Sequence, residues 1–566
     1  MQSALDREFA GVMAALTAPG AMFATVPVTM RGVEVAAIAA APPSLPAYFA
    51  HFCAQHGDAT FLVDGDCRLS FAETYAAART VAGGLVAGHG LNPGERVGIA
   101  ARNSASWIVA YMGVTMAGGC ATLLNGWWQG GELAQGIALA GCRFVLADAP
   151  RVKRLAGHPV AAEILPLAHD CPPLAGLAAL TAKGGDDTTP LPALGADALA
   201  SILFTSGSTG VAKGAWSDHR AVVQATFSFL AQTVAVLHVL TAHGQAPTGQ
   251  PSTLVNLPLF HVTGEVPVLL QSFALGRKLV VMPRWDAEEA MRLIEKEKIS
   301  YFVGVPLMSY EIATHPKRGD YDLSSCTTFA AGGAPRPVEH VARLREELPG
   351  AWPVIGYGLT ETNATGTGNF NENYVARPAS SGMASRPLVE VGILDDAGAL
   401  QPSGTIGEVA LRGVCNFGGY WENEAATAAA FTADGWFRSG DLGVLDADGY
   451  LTIVDRKKDI IIRGGENISC IEVEGEIYAD PRVAETAVFG LPDPLYGEVP
   501  AAVVVAKPGA RIDEASLIAF LAPRIAAFKL PVRVFVRDNP LPRLGSEKVD
   551  KRALRDAYAG AAGPAA

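Results

Sequence analysis

Hydrophobic positions along this chain switch between two periods. The run Leu199-Ala-Ser-Ile-Leu-Phe204 is almost wholly apolar, as in a strand covered on both faces. From Asp286 to Lys298 the apolar residues Ala287, Ala290, Met291 and Ile294 fall on one side of a helix. Asp286 stands at the N-cap position, and Glu289, three residues on, predicts a capping box. Tyr301–Val305 then reads as a buried strand. Strand–helix–strand repeats of this kind predict parallel sheets with helices packed outside them. Two long stretches, 103–131 and 221–264, contain no Asp, Glu, Lys or Arg. Gly118, Gly119 and Asn125 break the first; Gln224, Gln232, His238 and a Pro/Gly-rich loop break the second. Both therefore predict buried helices of an α/β protein, not membrane spans.

From about residue 380 the period shortens. Val391–Leu394, Gly407–Leu411 and Tyr450–Val454 read as short strands separated by turns such as Asp396-Ala-Gly398 and Asp446-Ala-Asp-Gly449. They predict an antiparallel β subdomain. After Arg456-Lys-Lys-Asp459 a smaller α+β unit is expected, with strands at 483–489, 499–506 and 532–536 and a helix at 514–521 that turns Leu517, Phe520 and Leu521 inward. The fold class is thus α/β, with a large domain over residues 1–457 and a small one over 458–566.

Composition narrows the picture. Of 566 residues, 49% are hydrophobic and 18% charged, which excludes a disordered polyelectrolyte. The net charge of −12 argues against a broad nucleic-acid footprint. A basic-leaning stretch at 524–552 reads either as a solvated face or as a local surface for a small anion. None of the eight cysteines forms a Cys-x-x-Cys pair, so neither a zinc site nor a redox motif is indicated, and a reducing, cytoplasmic setting is expected. Acidic Asp6 and Glu8 and the pair Pro19-Gly20 do not make a secretory leader.

The strongest chemical signal is Thr205-Ser206-Gly207-Ser208-Thr209-Gly210, followed by Val211-Ala212-Lys213-Gly214. Glycines let the backbone curl and aim several N–H groups at one anion, hydroxyls add donors, and Lys213 adds positive charge. The spacing is not that of a Walker A loop, since Ala212 and Gly214 stand where glycine and Ser/Thr would be needed.

With its companions, this loop resembles that of the adenylate-forming superfamily: acyl-CoA synthetases, aryl-CoA ligases, peptide-synthetase adenylation domains and firefly luciferase. The resemblance runs from about residue 45 to 552 and keeps the family's order of motifs. Tyr357-Gly358-Leu359-Thr360-Glu361 resembles the Tyr-Gly-x-Thr-Glu motif, which implies a tyrosine on adenine, a threonine on phosphate and Glu361 on Mg²⁺. Gly332-Gly333-Ala334-Pro335 resembles the adenine-side loop. Ser439-Gly440-Asp441 resembles the ribose motif, with Arg456 expected near ribose and phosphates. Pro540–Arg543 and Lys548-Val549 resemble the C-terminal catalytic segment. The resemblance assigns Lys548 to bridging carboxylate and α-phosphate in the first half-reaction. It also implies that the small domain is a mobile lid, pivoting at Lys458 and carrying Gly464 and Gly465 into a pantetheine tunnel. Two positions depart from the family pattern. Ala212 replaces a proline, and Glu547 replaces a glycine beside the proposed catalytic lysine.

Leu257–Gly264 resembles the segment in which an aromatic residue gates the acyl site, which points to His261. Peptide-synthetase domains place an aspartate soon after this phenylalanine; here His261-Val262-Thr263 follows Phe260. An ammonium buried without a partner costs several kcal/mol, so the uncharged stretch favours an apolar acid over an amino acid. The implied enzyme is an ATP-dependent acid–thiol ligase using Mg²⁺, ATP and coenzyme A on a fatty or aryl acid. The alternatives are a stand-alone enzyme loading a carrier protein and a catalytically weakened nucleotide-binding protein, made thinkable by Glu547. Acid identity and oligomeric state, a dimer included, stay open.

Overall fold

The computed structural model describes residues 3–205, 212–544 and 548–559. A seven-stranded and a 13-stranded sheet build the large part of the molecule, and a five-stranded sheet builds the small part. In the seven-stranded sheet Leu199–Thr205 lies parallel to Cys120–Leu123 and antiparallel to Lys213–Asp218. Thr205 is paired with Lys213 at the end of their ladder; residues 206–211, which join the two strands, lie outside the described residues. The edge of this sheet is a two-residue strand, Gly419–Tyr420, which reaches over from the far end of the large part.

The strands expected as a separate antiparallel subdomain are instead continuous with the parallel ones. Val389–Leu394, Gly407–Gly413, Phe437–Leu445 and Tyr450–Arg456 join, through Gly382–Ala384 and Gly366–Phe370, the edge of the strand Trp352–Gly358. From that strand onward the neighbours Thr328–Ala331 and Tyr301–Gly304 run parallel. One sheet thus changes from antiparallel to parallel at Trp352–Gly358, and Tyr357 sits at the change.

The helix expected over 286–298 forms as Ala287–Glu297, with Asp286 accepting from the Glu289 N–H. The capping box does not close, because the Glu289 carboxylate turns to Arg292 at 2.6 Å. The uncharged stretch 221–264 supplies the 24-residue helix His219–Ala242, long and apolar enough to cross a membrane; 61% of its most apolar window is buried in the protein. Its polar side chains are used internally. Gln224 clamps the backbone of Ile38, accepting from its N–H at 2.8 Å and donating to its C=O at 2.9 Å. The other stretch supplies Ala105–Met116, every residue of which is buried.

The small part is built on Ile461–Arg463, Glu466–Ile468, Val483–Asp493, Gly497–Ala506 and Arg533–Arg537. It has apolar clusters of its own, one around Val473, Leu517 and Leu521 and one around Phe489, Leu541 and Leu554. Phe520, expected inside, is half-buried and packs under the Arg524 guanidinium at 4.4 Å.

Glu265, immediately after the uncharged stretch, is fully buried and accepts from the Tyr111 hydroxyl at 2.7 Å. Burial pushes its carboxyl up to about 7, against a smaller opposing effect of the Tyr111 hydrogen bond. A carboxyl raised in the folded state binds its proton more tightly there than in the unfolded chain. Its contribution is therefore complete below the ordinary value of 4.5 and is lost as pH rises toward about 7. Glu265→Gln should remove this loss. Between pH 5 and 8, denaturant unfolding of the wild type should lose about 3 kcal/mol relative to the variant. Parallel pH profiles of the two proteins would refute this.

Candidate functional site

Where the two parts face each other, a cleft of ≈ 1350 Å³ opens between the end of the Trp352–Gly358 strand and the small part. Its wall includes Gly333, Tyr357, Asp441, Arg456, Lys458 and Lys548, together with Ala334, Pro335 and Gly358. Residues from four separate segments of the sequence thus meet in one place.

Asp441 lies on Phe437–Leu445, directly opposite Arg456 in the ladder. Its N–H donates to Ser439 Oγ at 3.0 Å, a turn made at Gly440 with φ of +73°. The carboxylate is 4% exposed. Tyr357 Oη donates to one oxygen at 2.8 Å, and Arg456 Nε meets the other at 3.1 Å. Burial and the adjacent Asp441 charge hold the Tyr357 phenol well above its usual range, so it keeps its proton and donates it to Asp441.

Thr360 and Glu361 form a single tight turn with Thr362, closed by the left-handed Asn363 and Ala364 at φ of 48° and 66°. The Asn363 amide pins the turn by donating to the Cys415 carbonyl at 2.9 Å. Glu361 is buried, and Tyr420 Oη donates to its Oε1 at 2.9 Å. Burial raises the Glu361 carboxyl, opposed by that hydrogen bond and by Arg456. Lys213 begins its strand at the register partner of Thr205 and holds its ammonium 4.8 Å from the Tyr420 ring centroid.

Lys548 comes from the small part. Gly333, at φ of +79°, lies so close that a Cβ there would stand 3.5 Å from Lys548 Cε. Burial, reinforced by Arg456, lowers the Lys548 ammonium to about 8, while Asp441 and Glu361 oppose the fall. The charges of Arg456, Asp441 and Glu361 therefore all act on Lys548; Arg456 and Asp441 share the cleft wall with it, and Glu361 is off that wall.

Thr205, Lys213, Thr360 and Glu361 do not line the cleft, and neither do three further expected residues. His261 is half-buried with its ring against Phe260 at 4.7 Å, and it does not line the cleft. Gly464 and Gly465 make the turn between Ile461–Arg463 and Glu466–Ile468, where the Gly464 N–H donates to the Tyr496 carbonyl at 2.7 Å; they too stand off the cleft wall. Gly332 donates to the Gly304 carbonyl at 3.2 Å, beside the wall. Ser206, Gly207, Ser208, Thr209, Gly210 and Glu547 lie outside the described residues.

Sequence reading missed Tyr420, the hydroxyl role of Tyr357, and Asp455. The pair Gly418-Gly419 before Tyr420 was the available signal for the first. A Cβ at Gly418 would stand 2.2 Å from the Trp216 ring, a close approach that requires glycine. Asp455 accepts from the N–H groups of Cys470 and Ile471, capping the first helix of the small part from the large one.

Comparison with known proteins gives the family of the chain. The AMP-binding enzyme family matches residues 49–421, and the AMP-binding enzyme C-terminal domain matches residues 472–548. A feruloyl-CoA synthase of Amycolatopsis sp is 34% identical over 88% of this chain and 95% of its own length. A long-chain-fatty-acid–CoA ligase of Mycobacterium tuberculosis is 31% identical over 87% of this chain and 94% of its own. The crystal structure of ATP-bound MatB from Rhodopseudomonas palustris superposes with a TM-score of 0.79 at 30% identity, covering 92% of this chain and all of that one.

A lysine lowered to about 8 loses its charge within reach of ordinary buffers. Affinity for a nucleoside triphosphate should fall about tenfold as pH rises from 7 to 9.5, the scale of one charged hydrogen bond. Lys548→Arg should flatten this limb, because a guanidinium keeps its proton. Lys548→Met should bind at every pH as the wild type does at pH 9.5. Calorimetric titration across pH measures all three.

Proposed function

The chain belongs to the adenylate-forming family of AMP-binding enzymes, and from that premise we propose how its residues divide the work. It is an acyl-CoA synthetase, joining a carboxylic acid to coenzyme A by way of an acyl-adenylate. The observation that carries the assignment of roles is the placement of Lys548 in one cleft with Asp441 and Arg456, close enough to Glu361 for its charge to act on the lysine.

Asp441 accepts from the ribose hydroxyls. Its carboxylate has lone pairs enough to keep the Tyr357 and Arg456 contacts as well. Thr205, the loop over 206–210, Lys213 and Thr360 hold the phosphates. The Gly332–Pro335 segment and the Tyr357-Gly358 backbone border the adenine. Lys548 draws the substrate carboxylate and the α-phosphate together and offsets charge that develops as pyrophosphate leaves.

Glu361 is the residue that would hold Mg²⁺. Among the described residues no cluster of three His, Cys, Asp or Glu could hold a metal alone. A buried single carboxylate beside the phosphate strand fits magnesium, which binds through one or two carboxylates plus substrate phosphates. When bound, the ion neutralises phosphate charge.

The chain divides after residue 457. Turning about Lys458 withdraws Lys548 and brings Gly464 and Gly465 to the cleft for the thiol. Their position off the cleft wall supports this second orientation. The acid is apolar, fatty or aryl: the stretch 221–264 is uncharged, the cleft carries Trp128, Leu139 and Phe204, and relatives act on a ferulic and a long-chain fatty acid by name. His261 is assigned to the acyl gate. The cysteines, all free, suit a reducing cytoplasm.

ATP–pyrophosphate exchange over a panel of fatty, aryl and amino acids tests this reading. Exchange should appear with apolar acids and be at least ~100-fold weaker with amino acids, since the stretch 221–264 offers no carboxylate to an ammonium. Lys548→Ala should slow exchange by at least ~100-fold yet leave thioester formation from supplied acyl-adenylate within about threefold. Folded protein with no acid-dependent exchange would refute the function. Equal loss of both half-reactions would refute the role of Lys548.

A further inference from the structure

Tyr420 stands between two opposite charges that do not meet. Its hydroxyl donates to Glu361 Oε1 at 2.9 Å, and its ring faces the Lys213 ammonium at 4.8 Å. Lys213 and Glu361 come from different segments, the strand after the phosphate loop and the turn after Trp352–Gly358. Among the described residues no ion pair joins them, although each is half a natural pair.

The main chain around Tyr420 is held tightly. Tyr420 pairs with Ala215 in the sheet, and its N–H donates to Thr427 Oγ1 at 2.9 Å. On one side the Gly418 N–H donates to the Trp216 carbonyl at 2.8 Å. On the other the Trp421 N–H donates to the Gly214 carbonyl at 2.7 Å. The Phe417 N–H donates to the Glu361 carbonyl at 2.8 Å. The segment 417–421 therefore stitches the phosphate strand to the Glu361 turn, and the Tyr420 side chain stands at the seam. A rigid backbone of this kind fixes where a side chain can act.

We propose that Tyr420 is a positioning residue that keeps Lys213 and Glu361 apart, so that the ammonium stays available to phosphate and the carboxylate to the metal ion. A neutral donor satisfies the buried carboxylate without cancelling its charge. A π-face holds the ammonium in place without a counter-ion. With a small aliphatic residue at 420, the flexible lysine would reach the carboxylate and each would neutralise the other. The inference rests on the assignment of Glu361 to the metal and of Lys213 to phosphate.

The test measures Mn²⁺ binding by electron paramagnetic resonance, in the full chain, with α,β-methylene-ATP as the unreactive nucleotide. Tyr420→Phe keeps the ring and removes the donor. It should weaken Mn²⁺ binding about tenfold and leave metal-free nucleotide affinity and the KM of the acid within twofold. Tyr420→Leu should weaken metal-free nucleotide binding about tenfold as well. In a Glu361→Gln background the Tyr420→Phe effect on Mn²⁺ should vanish, a result that general loosening of the fold would not give. Unchanged Mn²⁺ binding in Tyr420→Phe would overturn the proposal. So would an effect that persists in the Glu361→Gln background, or a Tyr420→Phe protein that does not fold. The readout is direct binding. An inactive acid panel with an intact Mn²⁺ cycle would therefore count against the enzyme reading and not against this one.

Discussion

The site depends on the buried carboxylate of Asp441. It faces two cations, Arg456 across the strand ladder and Lys548 from the small part, and burial disfavours the charge on Lys548. Without Asp441 the like charges of Arg456 and Lys548 would oppose each other in a desolvated space. Lys548 would then approach the nucleotide neutral, or not at all. In the proposed reading Asp441 prepares the cleft for a polyanion: it stabilises the assembly of cations that the phosphates would complete. Its strand partner Arg456 and its donor Tyr357 meet different oxygens of the carboxylate, which is therefore oriented as well as charged.

Holding Lys548 there requires the small part to face the large one, and few contacts enforce this. Asp455, the next-to-last residue of its strand, caps the helix Cys470–Tyr478 across the boundary, and Ser469 Oγ donates to the Val454 carbonyl at 2.8 Å. A carboxylate on two helix N-terminal N–H groups is favourable but amounts to only about 1–2 kcal/mol. Inside the small part, Lys551 pairs with Glu474 at 2.6 Å, which ties the segment bearing Lys548 to the helix Cys470–Tyr478. The lysine is therefore tied to its own domain, and that domain meets the large part through the Asp455 and Ser469 contacts and the His340 ring against Tyr478. That combination suits an enzyme whose two half-reactions need different residues in the same place.

Much of this was legible in the sequence, and the losses have physical causes. The helix over 286–298, the strands at 199–204 and 450–454 and the strands of the small part followed from periodicity, because in each the buried face dominates composition. The continuity of the antiparallel strands with the parallel sheet was not legible. It depends on the short strands Gly366–Phe370 and Gly382–Ala384, whose glycines carry no hydrophobic period. Asp441, Arg456, Glu361 and Lys548 could be named from their motifs. Tyr420 could not, since its significance lies in a two-residue strand that pairs with a segment some two hundred positions away. The capping box at Asp286 failed for a local reason: Arg292, one turn on, is a stronger partner for Glu289 than a backbone N–H.

One device recurs at the buried carboxylates. Asp6, Glu265, Glu361 and Asp441 each accept from a tyrosine hydroxyl: Tyr450, Tyr111, Tyr420 and Tyr357 respectively. Tyrosine supplies a donor without supplying a charge, so the hydrogen bond satisfies the oxygen and leaves the electrostatics to other neighbours. Those neighbours decide how each carboxyl behaves. Glu265 has no cation among its influences, and burial pushes it toward the protonated form. At Glu361 the charges of Arg456 and Asp441 act in opposite directions on a carboxyl that burial also raises. A cation arriving there would favour its ionised form. The same pairing thus holds a carboxyl governed by burial at Glu265 and one governed by burial and neighbouring charges at Glu361, and the difference lies in the charges around the pair, not in the pair itself.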